Sequence, residues 1–173
     1  IGKFDPSLSS LLWANYFGGS GAETGYSIKE FDQKVFITGT TSSDNLDLGP
    51  KPIFSSRQGD FDGYLASFNA NDGSPLNATY YGTSKEDQSF LMDYDYDGNI
   101  YIFGQTKGAI SITPSVYSQP GSRQFLAKLD SSLSTVIWQT AVGSGQNKQD
   151  IVPSAFMVDR CLNIYLSGWS GQS

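Results

Sequence analysis

The phrase GNIYIFGQT, Gly98 to Thr106, occurs three times in this chain in different wording. Its counterparts are QKVFITGTT, Gln33 to Thr41, and LNIYLSGWS, Leu162 to Ser170. Aligned on Gly39, Gly104 and Gly168, the copies stand 65 and 64 residues apart. A regular period of that size marks a chain built by repetition, whose units bury their apolar surface only by stacking on one another.

Each copy sits inside the same succession of strand patterns. The first repeat, residues 5–69, runs through LLWANYFGGSG, the alternating stretch from Gly25 to Phe31, the continuous apolar run Val35-Phe36-Ile37, and DGYLASFN. Alternation points to a half-buried strand and the continuous run to a strand covered on both faces. The second repeat, 70–130, gives PLNATYYG, QSFLMDY, NIYIFG and QFLAKLD; the third, 131–173, gives STVIWQTAVG, SAFMVD and NIYLSG and stops before a fourth strand. Four short antiparallel strands per unit predict an all-β chain, a β-propeller segment with two complete blades and one incomplete one. Closure takes about four to eight blades. The chain is therefore expected to be an arc of a larger ring, and Gly2-Lys3-Phe4-Asp5 matches the tail of a fourth strand, like Ala127-Lys128-Leu129-Asp130. With apolar Leu11, Leu12 and Trp13 at one end and no edge strand at the other, the piece is expected to associate or melt easily in isolation.

Composition narrows the chemistry. Aromatic residues make up 14% of the chain and 19 glycines punctuate it, which suits strands joined by tight turns. The net charge of -6 disfavours nucleic acid and anionic membrane surfaces as partners. With no histidine and a single Cys161, neither a Ser-His-acid or Cys-His nucleophile system nor a Cys/His zinc site can be assembled within these residues. No apolar run reaches the roughly 18 residues of a membrane-spanning helix.

Several motifs invite a functional reading. Asp93, Asp95 and Asp97, followed by Gly98, match the opening of a calcium loop, but the twelfth position is Gly104 where a bidentate Glu is needed. Asp-Gly alone also makes a hairpin turn, which is the reading adopted; Asp32 and Asp159 stand near the same turn in the other copies. Glu23 and Asp87 each follow a strand-ending glycine by five residues, whereas the third copy has Lys148 there and Asp150 two further on. Such carboxylates are expected to accept hydrogen bonds from loop amides. Trp13 and Trp138 are equivalent and expected in the core; Trp169 lies at a strand end, where an aromatic can stack on a sugar or partner. The sequon Asn77-Ala78-Thr79 falls in a predicted strand and is read as chance.

YFGGSGAETGYSI followed by VFITGTTSS, with DGYLASFN and QFLAKLD, resembles the bacterial β-propeller repeat called SBBP, worded around a Tyr-Leu-Gly-Gly strand, a Gly/Asn turn, IYVTG and FVAKL. VDRCLNIYLSGWSG is similar to the amino-terminal propeller region of large Bacteroidetes surface proteins described as gliding-motility-associated. The first hairpin departs from the repeat, with Asp32-Gln33-Lys34 in place of the Gly/Asn turn. The resemblance implies an exported or cell-surface protein, secreted by the type IX system and linked to gliding or adhesion. It implies protein partners at the surface or in the export machinery, and no cofactor, metal or catalytic residue. A glycan-binding propeller and a carboxylate-dependent polysaccharide-degrading enzyme are the competing readings.

Overall fold

The computed structural model describes residues 1–170, and among them the chain is all β, without helix. Strands β1 (Gly2–Phe4) and β2 (Leu11–Ala14) form a leading pair. Strands β3 (Glu23–Phe31), β4 (Lys34–Thr41), β5 (Asp62–Asn69) and β6 (Pro75–Tyr81) form one four-stranded sheet. The second four-stranded sheet holds β7 (Asp87–Tyr94), β8 (Ile100–Thr106), β9 (Gln124–Leu129) and β10 (Val136–Val142), and β11 (Val152–Val158) and β12 (Ile164–Trp169) form a trailing pair. All pairings are antiparallel between chain neighbours.

The two four-stranded sheets match the expectation of two complete units, but the strands are grouped differently from the repeats as read, and the trailing unit is a two-stranded pair rather than one lacking only its outer strand. The sheets are out of phase with the sequence repeat by one strand: β6 and β10 close the sheets before them, and β2 pairs with β1. The cause is local. Asp5 to Ser10, Asn69 to Ser74 and Asp130 to Thr135 are hairpin loops, each closed by a hydrogen bond from the amide of its first residue to the carbonyl of its last. A strand tied back by so short a loop must pair with its predecessor, and the chain crosses to the next sheet only at the glycine that follows.

The recurrent glycine of the repeat phrase has a steric origin. In each inner strand the pairing slips by one residue at the same place, bulging out Tyr26, Phe90 and Ser154. The bulge drives the carbonyl of Thr24, Gln88 or Val152 onto the facing residue, where a Cβ would lie 1.7 Å from that oxygen at Gly39, 2.2 Å at Gly104 and 2.6 Å at Gly168. Only glycine leaves room. The hairpin at Asp32-Gln33 is a two-residue turn with both residues at positive φ, 48° and 61°, which is the type I′ geometry, adopted here without glycine or asparagine.

Strand β7 packs against β3, β4 and β5, and β11 against β7 and β8. The main core lies between the two four-stranded sheets, with Phe36, Leu65 and Tyr81 meeting Met92, Ile102 and Phe125. A second core of Tyr64, Ala66, Phe68 and Tyr80 occupies the opposite face of the first sheet, half covered by Ile1 and Phe17. At the two ends, equivalent positions become exposed. Phe4 is 55% exposed where Phe68 and Leu129 are fully buried, and Tyr165 is 52% exposed where Tyr101 is 3%.

Candidate functional site

The repeated carboxylates sit where the chain crosses from one sheet to the next. Asp87 accepts from the Thr83 amide at 2.6 Å and the Thr83 hydroxyl at 2.9 Å. Glu23 takes the Gly19 amide at 3.2 Å and the Thr41 hydroxyl at 2.8 Å, and Asp150 takes the Ser144 amide at 2.6 Å and hydroxyl at 2.5 Å. A glycine stands against each: the side chain that Gly18, Gly82 or Gly143 lacks would collide with that carboxylate. Asp150 does in the third copy what spacing had assigned to the position of Lys148, because that crossing loop is longer. Burial alone would raise the Glu23 carboxyl, but the Ser43 and Thr41 hydroxyls outweigh it and hold it below its ordinary range.

Asp62 was not foreseen as a neighbour of Asp87. Its carboxylate accepts the Gln58 and Gly59 amides at 2.7 and 2.9 Å, and both carboxylates flank Gly82. Burial pushes both carboxyls up, and the Asp62 charge raises that of Asp87 further. Both residues are fully buried, so this pair faces protein rather than solvent. In the second sheet the position of Asp62 is held by Arg123, so no recurrence in the sequence could have disclosed it.

The triple Asp motif divides into three unrelated roles. Asp93 joins three sheets, pairing with Lys29 Nζ at 3.1 Å from β3 and accepting the Val158 amide at 2.8 Å from β11. Asp95 is a buried hub: it accepts the Asp97 and Asn99 amides at 3.0 Å, the Asn99 side-chain amide, the Tyr101 hydroxyl at 3.2 Å and Lys128 Nζ at 2.7 Å. Burial acts to raise the Asp95 carboxyl, yet the bonds from Lys128 and Asn99 more than offset it. Asp97 contributes its backbone to this hub. The lysine partner lies in β9, beyond the reach of any local motif. Asp159 repeats the hub in the trailing pair, taking the Cys161 and Asn163 amides at 2.8 and 2.9 Å and the Tyr165 hydroxyl at 3.2 Å. Among the described residues no group of three His, Cys, Asp or Glu side chains is arranged to hold a metal ion.

The tryptophans separate by environment. Trp13 is wedged against the first sheet, its indole N–H donating to the Ala70 carbonyl at 3.1 Å and its ring lying over Gly73. Trp138 stands edge-on to Tyr101 at 5.7 Å within its own sheet. Trp169 is 62% exposed. The bulged Tyr26 and Phe90 stack at 4.8 Å across neighbouring inner strands. In the sequon, Thr79 is fully buried and Asn77 is half-buried within β6. Against known proteins, the chain matches no family model and no curated sequence.

Proposed function

We propose that this chain is an arc of a β-propeller of the SBBP type, serving as a non-catalytic interaction or structural module of an exported, surface-displayed bacterial protein. The observation that carries the reading is the way successive antiparallel sheets lie face to face through their first strands, β3 against β7 and β7 against β11. Radial repetition of four-stranded units produces that arrangement. A second support is the fate of the carboxylates: Asp62, Asp87 and Asp95 are buried, and Asp62 and Asp95 spend both oxygens on protein donors. Carboxylates so engaged serve as ties between loops and sheets rather than as an acid and base open to a substrate. Export by type IX secretion and a part in gliding or adhesion follow from the repeat wording alone.

Antibody labelling of intact source cells tests the surface assignment. Labelling without permeabilisation is expected, and labelling only after permeabilisation refutes it. Sugar release from a polysaccharide panel tests the enzymatic alternative, and release abolished by Asp87→Asn would overturn the non-catalytic reading. A glycan-binding propeller is favoured by one observation, the exposed Trp169 indole. Glycan-array binding lost in Trp169→Ala would support it.

A further inference from the structure

We propose that the long loop inside each four-stranded sheet is a strap that closes the outer edge of that sheet to strands from other chains. Residues 42–61 lead from β4 to β5 and residues 107–123 from β8 to β9, yet each of these strand pairs is adjacent and antiparallel and needs only a short turn. A repeat of four strands is commonly made from about 40 to 50 residues, whereas this chain takes 65 or 64 from one copy of its phrase to the next. The surplus lies in these loops, and each is laid along the last strand of its own sheet.

The attachments recur at equivalent places. In the first sheet the outward amides of Ala78 and Tyr80 on β6 donate to the carbonyls of Leu48 at 2.9 Å and Phe54 at 3.3 Å. In the second, the outward carbonyls of Gln139 and Ala141 on β10 accept from the amides of Thr113 and Gln119, both at 3.0 Å. Thr113 stands 65 residues after Leu48 and Gln119 stands 65 after Phe54, the step that separates Gly39 from Gly104. The loop supplies carbonyls in one copy and amides in the other, but the points of attachment are kept. What recurs is occupation of the edge. Side chains reinforce it, the Phe54 amide donating to Thr79 Oγ1 at 2.9 Å and the Gln139 amide to Thr113 Oγ1 at 3.0 Å.

The strap ends the sheet rather than extending it. A further strand would advance two residues for the step from Ala78 to Tyr80, about 7 Å. The strap spends six, from Leu48 to Phe54, and six again from Thr113 to Gln119, so it arches away between its attachments. Pro50 and Pro52 lie in the first arch and Pro114 in the second, residues with no N–H to offer a next strand, and Lys51 is exposed between the first two. An unpaired edge is a template for another chain, and proline, exposed lysine and a covering loop all remove it. The first strap is also anchored: Leu46 is buried in the second core, and Phe54 stands edge-on to Tyr81 at 6.0 Å. Gly49, at φ 70°, passes β6 so closely that a Cβ would lie 2.7 Å from the Leu76 carbonyl oxygen. Both edges belong to complete sheets and are occupied by the chain itself, so the inference does not rest on the propeller reading.

In the whole chain, Gly49→Ala/Phe54→Ala should lift the first strap. The Ala78 and Tyr80 amides are then expected to exchange hydrogen at least about tenfold faster than in the parent, while the amides of the central strand β5 keep their rates. Sedimentation at equal concentration is expected to show this variant associating beyond the parent. Adding Leu76→Lys, a charge at an exposed residue of the same edge, should return it to the state of the parent. Should the double variant lose protection in β5 as well, a chain folded with its strap whole and then cut at a protease site inserted between Lys51 and Pro52 gives the same readings. In a chain that keeps β5 protected, unchanged exchange at Ala78 and Tyr80, faster exchange without added association, or association that Leu76→Lys leaves in place overturns the proposal.

Discussion

Replacing Asp95 by Asn isolates one interaction in the second sheet. The amide oxygen keeps the turn bonds from the Asp97 and Asn99 amides, while its NH2 is set against Lys128 and the Tyr101 hydroxyl. Lys128 is only 14% exposed at its side chain and Asp95 1%, so the ammonium is left charged, largely dry and without its counter-ion. Removing one partner of a buried pair costs about 3 to 5 kcal/mol, a large share of the roughly 5 to 15 kcal/mol that holds a domain folded. The double change Asp95→Asn/Lys128→Met removes the stranded charge and lets the Asn amide donate to Tyr101. It should return to within about 1 kcal/mol of the parent, a coupling of about 2 kcal/mol or more. Urea unfolding followed by tryptophan fluorescence reads this directly, because Trp138 packs edge-on to Tyr101 beside the pair. A single variant that loses under about 1 kcal/mol, or a double variant no better than the single, would refute the argument that charge burial makes this pair structural.

Asp87→Asn should raise stability at neutral pH by on the order of 1 kcal/mol, because it removes one of two neighbouring buried charges and Asn can still accept from Thr83. The sign follows from the shifts. The Asp62 and Asp87 carboxyls lie above the ordinary 3.8 in the fold, so their contribution is full below 3.8 and lost as pH rises through the raised values. Asp95 and Asp130 lie below 3.8, so theirs is full above it and lost as pH falls through the depressed values. Melting should therefore peak in mildly acidic solution, and Asp87→Asn should flatten the neutral side of that peak; an unchanged profile counts against the pairing. Gly39→Ala should cost about 3 kcal/mol or more, since no rearrangement short of undoing the bulge frees a Cβ from the Thr24 carbonyl, and near-parental denaturant midpoints would show the bulge to be unnecessary. A chelator should shift the melting temperature by less than about 1 °C, whereas a rise of several degrees on adding calcium would make Asp93, Asp95 and Asp97 ligands after all.

The period of the chain, its strands and its turns were legible in the residues because each depends on neighbours within a few positions. Alternation fixed the half-buried strands, and the phrase around Gly39, Gly104 and Gly168 marked a backbone approach so close that every copy carries the same residue. The carboxylates at Glu23 and Asp87 were readable as loop acceptors for the same reason, their partners lying four residues away. Which strands share a sheet was decided in three dimensions. The repeat as written begins at the Trp13 strand, but a sheet begins at the strand after it, and period alone carries no phase. The long-range partners of Asp95 and Asp93, and the neighbour Asp62 of Asp87, lay out of reach. Lys128, 33 residues beyond Asp95, reaches it by strand pairing within one sheet, whereas Asp62, 25 before Asp87, and Lys29 and Val158, which reach Asp93 from two other sheets, become neighbours only when the sheets stack. Local spacing determines which groups a turn can satisfy. Stacking decides which charges meet, because sheet faces bring together residues whose separation along the chain is set by whole strands rather than by single turns.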